Sequence, residues 1–255
     1  LLEQLGCEVF RVNCTPDGTF PRGAEPIPEN LGDLRAAVKE HGCDLGFAVD
    51  PDADRCALVD GLGQSIGEEY TLAIAMEEVL SQKEGSVCVN LSTSRMNEDV
   101  AEKYGCGFSR AKVGEINVSL QMIENGCIIG GEGNGGVILP ALHYGRDSLV
   151  AAALVLSWMA HHDGGPEKFV DQNPSYVMPK KKFELGAKPV SEILPLVRAE
   201  FAGWTADDRD GLWLGKGKSW VHVRASNTEP VIRVIAEAPT AAEAEALCAK
   251  VEKLI

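Results

Sequence analysis

The sequence is short of positive charge and has no long apolar run. Among 255 residues, 24 Lys and Arg stand against 38 Asp and Glu, a formal net charge of −14 with His neutral. An acidic chain of this kind repels nucleic acid and anionic membrane surfaces at long range, so neither is expected as a partner. An anionic substrate would need positive charge supplied locally, by a few placed arginines or a metal. The longest apolar stretch, Leu149–Ala160, is shorter than the ~20 residues of a membrane span and reads as a buried helix. No basic segment followed by an apolar one opens the chain, so no secretory leader is expected. The eight cysteines, at 7, 14, 43, 56, 88, 106, 127 and 248, include no C-x-x-C pair and no zinc spacing. Most sit in apolar runs such as Ser86–Asn90, and read as buried free thiols of a reducing, cytoplasmic setting. Apolar residues at 45% and charged residues at 24% exclude disorder and fibrous repeats.

What is present is an alternation of helices and short apolar strands, which predicts an α/β fold. Leu1–Gly6 reads as the end of a helix, Cys7–Val12 as a strand, and Asn30 as the cap of a helix bearing Leu31, Leu34 and Val38. Leu45–Val49 is a short strand that runs into Asp50. The start looks like the back half of a domain whose front half is missing. Helix and strand then alternate: helices over 68–81, 96–104, 116–124 and 146–161, strands over 86–91, 108–112 and 127–130. This predicts a mixed or mainly parallel sheet with helices on both faces. Residues 163–175 read as a linker. Beyond it, strands at 176–185, 213–214, 220–224 and 231–237 and helices at 190–201 and 241–255 predict a separate C-terminal α+β domain. Trp204, Trp213 and Trp220 are expected in its core, and His161 and His162 at a surface or helix cap.

Three loops carry candidate chemistry. Asp50-Pro-Asp-Ala-Asp-Arg55 follows a strand and sets three carboxylates at i, i+2 and i+4, a hard oxygen set suited to Mg²⁺ or Ca²⁺ rather than zinc. An EF-hand is excluded, because Arg55 stands where Gly is needed and Gly61 where Glu is needed. Gly130-Gly-Glu-Gly-Asn-Gly-Gly136 also follows a strand; its glycines admit a ligand closely, and Glu132 and Asn134 can bind sugar hydroxyls. It lacks the G-x-G-x-x-G of a dinucleotide fold. Arg224-Ala-Ser-Asn-Thr-Glu-Pro230 with Arg233 packs guanidiniums, hydroxyls and an amide together, as phosphate binding requires. The structural alternatives are a solvated acidic turn for the first loop, a flexible turn for the second and a capping turn with incidental arginines for the third. Lys112 and Glu115 form a weaker candidate.

The three loops in this order closely resemble the α-D-phosphohexomutase family, which includes phosphoglucomutase, phosphomannomutase and phosphoglucosamine mutase. The resemblance implies that Asp50, Asp52 and Asp54 hold Mg²⁺ with Arg55 beside them. It also implies that Glu132, Asn134 and Gly135 read the sugar, and that Arg224, Ser226, Asn227, Thr228 and Arg233 bind the phosphate that is not transferred. Lys112 and Gly114 fit the Lys-x-Gly segment that precedes the sugar loop. Some family members carry His where this chain has Glu115, and Gly-His where it has Gly135-Gly136. On this reading residues 1–65 end the family's second domain, 66–170 form its third and 171–255 its fourth. The implied function is interconversion of hexose 1-phosphates and 6-phosphates through a phosphoserine and a hexose 1,6-bisphosphate. The family's Ser-His-Asn-Pro nucleophile loop has no counterpart here; the nearest segment, Ser94-Arg-Met-Asn97, lacks His and Pro. A chain missing the N-terminal domain is therefore expected to bind a hexose phosphate weakly and to be inactive by itself. A non-catalytic sugar-phosphate-binding module is the alternative. An aspartate-nucleophile phosphatase is a third reading, but it leaves the Arg224 loop unexplained.

Overall fold

The computed structural model describes residues 1–186, 188–226 and 230–255. The chain divides into two compact units, Leu1–Thr93 with Asn97–Asn173, and Pro174–Ile255 with Ser94–Met96. Apart from Ser94–Met96, the segments 1–65 and 66–170 thus fall within one unit.

The first unit begins with α1 (Gly32–His41) packed on an antiparallel pair, β1 (Leu45–Val49) and β2 (Cys56–Asp60). Period-two alternation in β1 turns Ala48 toward Leu31 and Val38, which with Ala57 and Val59 form a small core. Two sequence expectations fail here. Cys7–Val12 forms no strand: it has no β partner among the described residues, and Phe10 instead stacks on His41 with ring centroids 4.3 Å apart. Asn30 does not cap α1, because Pro28 opens a 3-10 turn that moves the helix start to Gly32. The Asn30 amide donates instead to the Glu25 carbonyl at 2.8 Å.

The unit continues through α2 (Glu69–Gln82), β3 (Val87–Asn90), α3 (Met96–Lys103), β4 (Phe108–Ala111), α4 (Glu115–Asn125), β5 (Ile129–Glu132), β6 (Gly136–Ile138), α5 (Ser148–His162) and α6 (Pro166–Gln172). The sheet runs β4-β3-β5-β6, with β3 parallel to both neighbours and β6 antiparallel to β5, so it is mixed as expected. Its two faces are covered by different helices. A Cβ on Gly130 would lie 2.8 Å from Met122 Sδ of α4, whereas one on Gly131 would lie 3.2 Å from Leu72 Cδ1 of α2. Successive strand residues thus face opposite helices. The Gly130 position also leaves only 2.1 Å to the Cys88 carbonyl oxygen. Gly130→Ala is therefore expected to cost about 2–3 kcal/mol, checked by urea denaturation; an unchanged midpoint would refute this packing constraint.

Helix α2 is buried along most of its length, and its carboxylates Glu77 and Glu78 are buried with it. Both are partnered, as buried charge must be. Glu77 holds Lys103 and accepts from the Trp158 indole at 3.3 Å; Glu78 holds Ser157 and lies 3.0 Å from His161 Nδ1. His161, expected at a surface or cap, therefore also anchors a buried acid. The segment 163–175 is not a bare linker: Pro166 opens α6 and Phe169 is fully buried. Four cysteines, at 56, 88, 127 and 248, are buried, three are partly covered and Cys14 is exposed, fewer buried than expected; all eight are free. Burial pushes the Cys56 thiol up to about 12 and those of Cys127 and Cys248 to about 11, so none of these three is a thiolate nucleophile near neutral pH.

The second unit comprises β7 (Lys180–Glu184), α7 (Val190–Glu200), β8 (Thr205–Asp207), β9 (Leu212–Lys216), β10 (Ser219–Ala225), β11 (Val231–Glu237) and α8 (Ala241–Glu252). Its antiparallel sheet runs β7-β11-β10-β9-β8. One face, with Val221, Val223, Ile232, Val234 and Ala236, packs on Ile193 and Val197 of α7 and Cys248 and Val251 of α8. Alternation sends Trp220, His222, Arg224 and Arg233 to the other face. Trp220 is buried and stacks with Trp213, and Trp204 lies edge-on to Phe201 beside the core. No helix among the described residues is long and apolar enough to cross a membrane.

Candidate functional site

The acidic loop connects β1 to β2, whose ends pair as Val49 with Cys56. Asp50 organises it. This buried carboxylate accepts the amide N–H groups of Asp54 and Arg55 on Oδ1, both at 3.0 Å, while its carbonyl accepts from Ala53 at 3.1 Å. Ala53 takes a left-handed backbone with φ of 57°, which costs a non-glycine residue about 1–2 kcal/mol. Its carbonyl accepts from Ser148 N at 3.1 Å, which ties the loop to the start of α5. One carboxylate oxygen from each of Asp50, Asp52 and Asp54 lies within 4.8 Å of the others.

A divalent cation fits this set. Asp54 Oδ1 is buried and has no hydrogen-bond donor, and burial pushes the Asp54 carboxyl up to about 6. Arg146 opposes that rise, while Asp50 and Asp52 add to it. Three converging carboxylates with an orphaned oxygen lack positive charge, and all-oxygen ligands suit a hard cation. Arg55 supplies part of the deficit, with Nε 3.3 Å from Asp50 Oδ2 and 3.6 Å from Asp54 Oδ1.

The glycine-rich segment forms the β5–β6 hairpin, and its tip lies against the acidic loop. Gly135 has φ of 89°, and a Cβ there would sit 2.5 Å from the Cys56 carbonyl oxygen. The Gly135 carbonyl accepts from Cys56 N at 3.0 Å, so the two loops join through backbone. Glu132 is buried and accepts Asn90 Nδ2 at 2.7 Å and Gly114 N at 2.9 Å on Oε1. Its Oε2 accepts Arg146 Nη1 at 2.8 Å. Asn134 Oδ1 lies 3.4 Å from the same nitrogen. Lys112 is exposed, and Glu115 begins α4 half-exposed, with Oε1 and Oε2 3.0 and 3.3 Å from the Arg146 backbone N and Nε.

Arg146 is the residue that sequence reasoning missed. Its guanidinium meets Asp54, Glu132 and Glu115 at once. The local signal was the Gly145-Arg-Asp147 segment, in which Asp147 caps α5 by accepting from Leu149 and Val150. Burial alone would raise the Asp147 carboxyl, but His143 and these amides hold it below its ordinary value.

In the second unit Arg224 and Arg233 are direct cross-strand partners on β10 and β11, and Lys182 of β7 pairs with Arg233. Like charges directly opposite one another destabilise a sheet, so this row is suited to an anion. One partner is already present: Arg224 Nη1 lies 3.2 Å from Asp210 Oδ2, while its buried Nε has no acceptor. Ser226 is half-buried and closes the hairpin through N–H donation to Val231 O at 2.9 Å. Asn227 and Thr228 lie outside the described residues.

A mixed α/β/α unit bearing acidic and glycine-rich loops, followed by an antiparallel α+β unit with an arginine hairpin, is the architecture of sugar-phosphate mutases. Models of the phosphoglucomutase/phosphomannomutase family match in order: alpha/beta/alpha domain II over 1–63, alpha/beta/alpha domain III over 67–176 and the C-terminal domain over 184–254. The chain belongs to this family. It is 37% identical over 241 residues to a phosphoglucomutase/phosphomannomutase of Thermococcus kodakarensis, covering 93% of this chain and 53% of that protein. It is 36% identical over 251 residues to a "probable phosphoglucosamine mutase" of Methanopyrus kandleri, covering 97% and 56%. A crystal structure of a family protein from Burkholderia thailandensis superposes with a TM-score of 0.85 at 27% identity, covering 99% of this chain and 55% of that one. The chain thus spans about half the length of these relatives.

Proposed function

We propose that the chain carries the cation, sugar and phosphate loops of a phosphohexomutase that interconverts hexose 1-phosphates and 6-phosphates through a hexose 1,6-bisphosphate. The observation that carries this reading is the junction of the first two loops. Gly135 and Cys56 join them through backbone, and Arg146 joins Asp54 to Glu132; a cation on the first loop and sugar hydroxyls on the second would therefore lie side by side. Asp50, Asp52 and Asp54 would hold Mg²⁺, which when bound supplies positive charge to phosphoryl oxygens. Arg55 stands where it neutralises charge that spreads during phosphoryl transfer, and Lys112 is assigned to the same step. Glu132, Asn134 and Gly135 orient the sugar. Arg224, Ser226, Asn227, Thr228 and Arg233 anchor the phosphate that is not transferred. Residues 1–65, 66–170 and 171–255 are read as the end of the family's second domain, the third and the fourth. The phosphoserine donor is assigned to a further domain of the same protein, in keeping with the greater length of the relatives. The enzyme is assigned to the cytoplasm.

The test is calorimetry of this chain with the 6-phosphates of glucose, mannose and glucosamine and with glucose 1,6-bisphosphate in Mg²⁺, alongside a mutase assay. The expected result is binding of at least one sugar phosphate, with no turnover. Turnover by this chain alone would overturn the assignment of the donor to another domain, and no binding of any of the four would overturn the site.

A further inference from the structure

Arg146 holds an unusual place for one side chain. Only 11% of it is exposed, and its guanidinium touches carboxylates from three separate segments. Nη2 donates to Asp54 Oδ2 in the acidic loop, and Nη1 to Glu132 Oε2 at 2.8 Å with Asn134 Oδ1 at 3.4 Å. Nε donates to Glu115 Oε2 at 3.3 Å. A planar guanidinium presents these donors in a fixed fork, so a rotation that improves one contact weakens another.

A carboxylate has about four lone-pair sites. Glu132 Oε1 already accepts from Asn90 and Gly114, whereas Oε2 accepts from Arg146. A sugar hydroxyl donated to Glu132 must therefore arrive at Oε2, beside Arg146 Nη1. On the other side, Asp54 Oδ2 carries Arg146 while Oδ1 has no donor. A cation held by the acidic loop would share Asp54 with the guanidinium, and the two positive charges would repel. With Asp54 drawn to the cation, the fork is left to Glu132, Asn134 and Glu115.

We propose that Arg146 is a positioning residue that couples the acidic loop to the sugar loop, so that a cation at Asp54 resets the hydrogen bonding of Glu132 and Asn134. The proposal rests on the cation and sugar roles proposed above. It deepens them by making the two sites thermodynamically linked, each altering the other by the same factor.

The test uses two variants of the 255-residue chain and two readouts that need no turnover. Mg²⁺ affinity is measured by calorimetry, and amide hydrogen exchange of Glu132–Gly136 is followed with and without Mg²⁺. Arg146→Gln removes a competing charge beside Asp54, so Mg²⁺ should bind about tenfold more tightly. Arg146→Lys keeps the charge but loses the fork; its Mg²⁺ affinity should stay within about threefold of the parent. In the parent chain Mg²⁺ should change exchange of the sugar-loop amides by about fivefold or more, and in Arg146→Lys this response should vanish while the melting temperature is kept. A retained response in Arg146→Lys would place the coupling in the Gly135–Cys56 backbone junction and overturn the role of Arg146. Unchanged Mg²⁺ affinity in Arg146→Gln would also overturn it. Mg²⁺ binding without coupling removes this proposal alone, whereas a parent chain that binds no Mg²⁺ at millimolar concentration removes the cation-loop assignment with it.

Discussion

Asp50→Ala is expected to abolish divalent-cation binding and to cost about 3–5 kcal/mol of stability, whereas Asp52→Ala loses the cation and leaves stability within about 0.5 kcal/mol. The two residues share a motif but not an environment. Asp50 is buried and accepts two backbone amides, which shape the turn that presents the other carboxylates. Charge-assisted bonds of this kind contribute about 1.5–3 kcal/mol each when buried, and their donors are stranded if the acceptor is removed. Asp52 is exposed, and on the proposed reading its contribution is its charge toward the cation. Calorimetry with Mg²⁺ and urea denaturation separate the two effects; equal stability losses for both variants would sink the distinction.

The pH dependence follows from Asp54, whose carboxyl is raised from 3.8 to about 6, first by burial. A proton on Asp54 competes with the cation, so Mg²⁺ affinity should fall as pH drops through about 6. For the metal-free fold the sign is the opposite of a salt-bridged acid. The raised value contributes stability that is present below about 4 and is lost as pH rises through about 6. The stabilisation that Mg²⁺ confers should therefore be larger at pH 7.5 than at pH 5, as measured by the melting temperature.

Glu132→Ala is expected to destabilise the first unit by about 3–5 kcal/mol, the range for removing one member of a buried ion pair. It leaves Asn90 Nδ2, the Gly114 amide and Arg146 Nη1 without the acceptor that gathers them. Glu132→Gln keeps the shape and an acceptor oxygen but removes the charge. It should fold with a smaller loss, about 1–2 kcal/mol, and bind glucose 1,6-bisphosphate at least about tenfold more weakly. The pair of variants distinguishes a structural carboxylate from a ligand-binding one. If Glu132→Gln binds the bisphosphate as the parent does, Glu132 holds the hairpin together and does not read the sugar.

Residues close in sequence were legible without coordinates. Asp50, Asp52 and Asp54 converge within the short turn between the paired strands β1 and β2, where their spacing already sets them close. Arg224 and Arg233 meet because a hairpin brings its two strands into register. The glycines of 130–136 were only half legible. Their pattern suggests clearance for a ligand, but Gly130 is demanded by the Cys88 carbonyl and Met122, and Gly135 by the Cys56 carbonyl. Composition records that a side chain is absent and not which neighbour requires its absence. The strand expected over Cys7–Val12 failed for a related reason, since an apolar pattern proposes a strand and only a hydrogen-bonding neighbour makes one.

The order of residues alone carries the family resemblance, the alternation of helices and strands and the two charged loops whose members are local. Local backbone geometry and the spacing of charges suffice for those. Packing of distant segments sets Arg146, 92 residues from Asp54, between the acidic loop and Glu132. That arrangement depends on how α5 packs beside the β5–β6 hairpin, and burial there makes each carboxylate need a partner that no local spacing specifies.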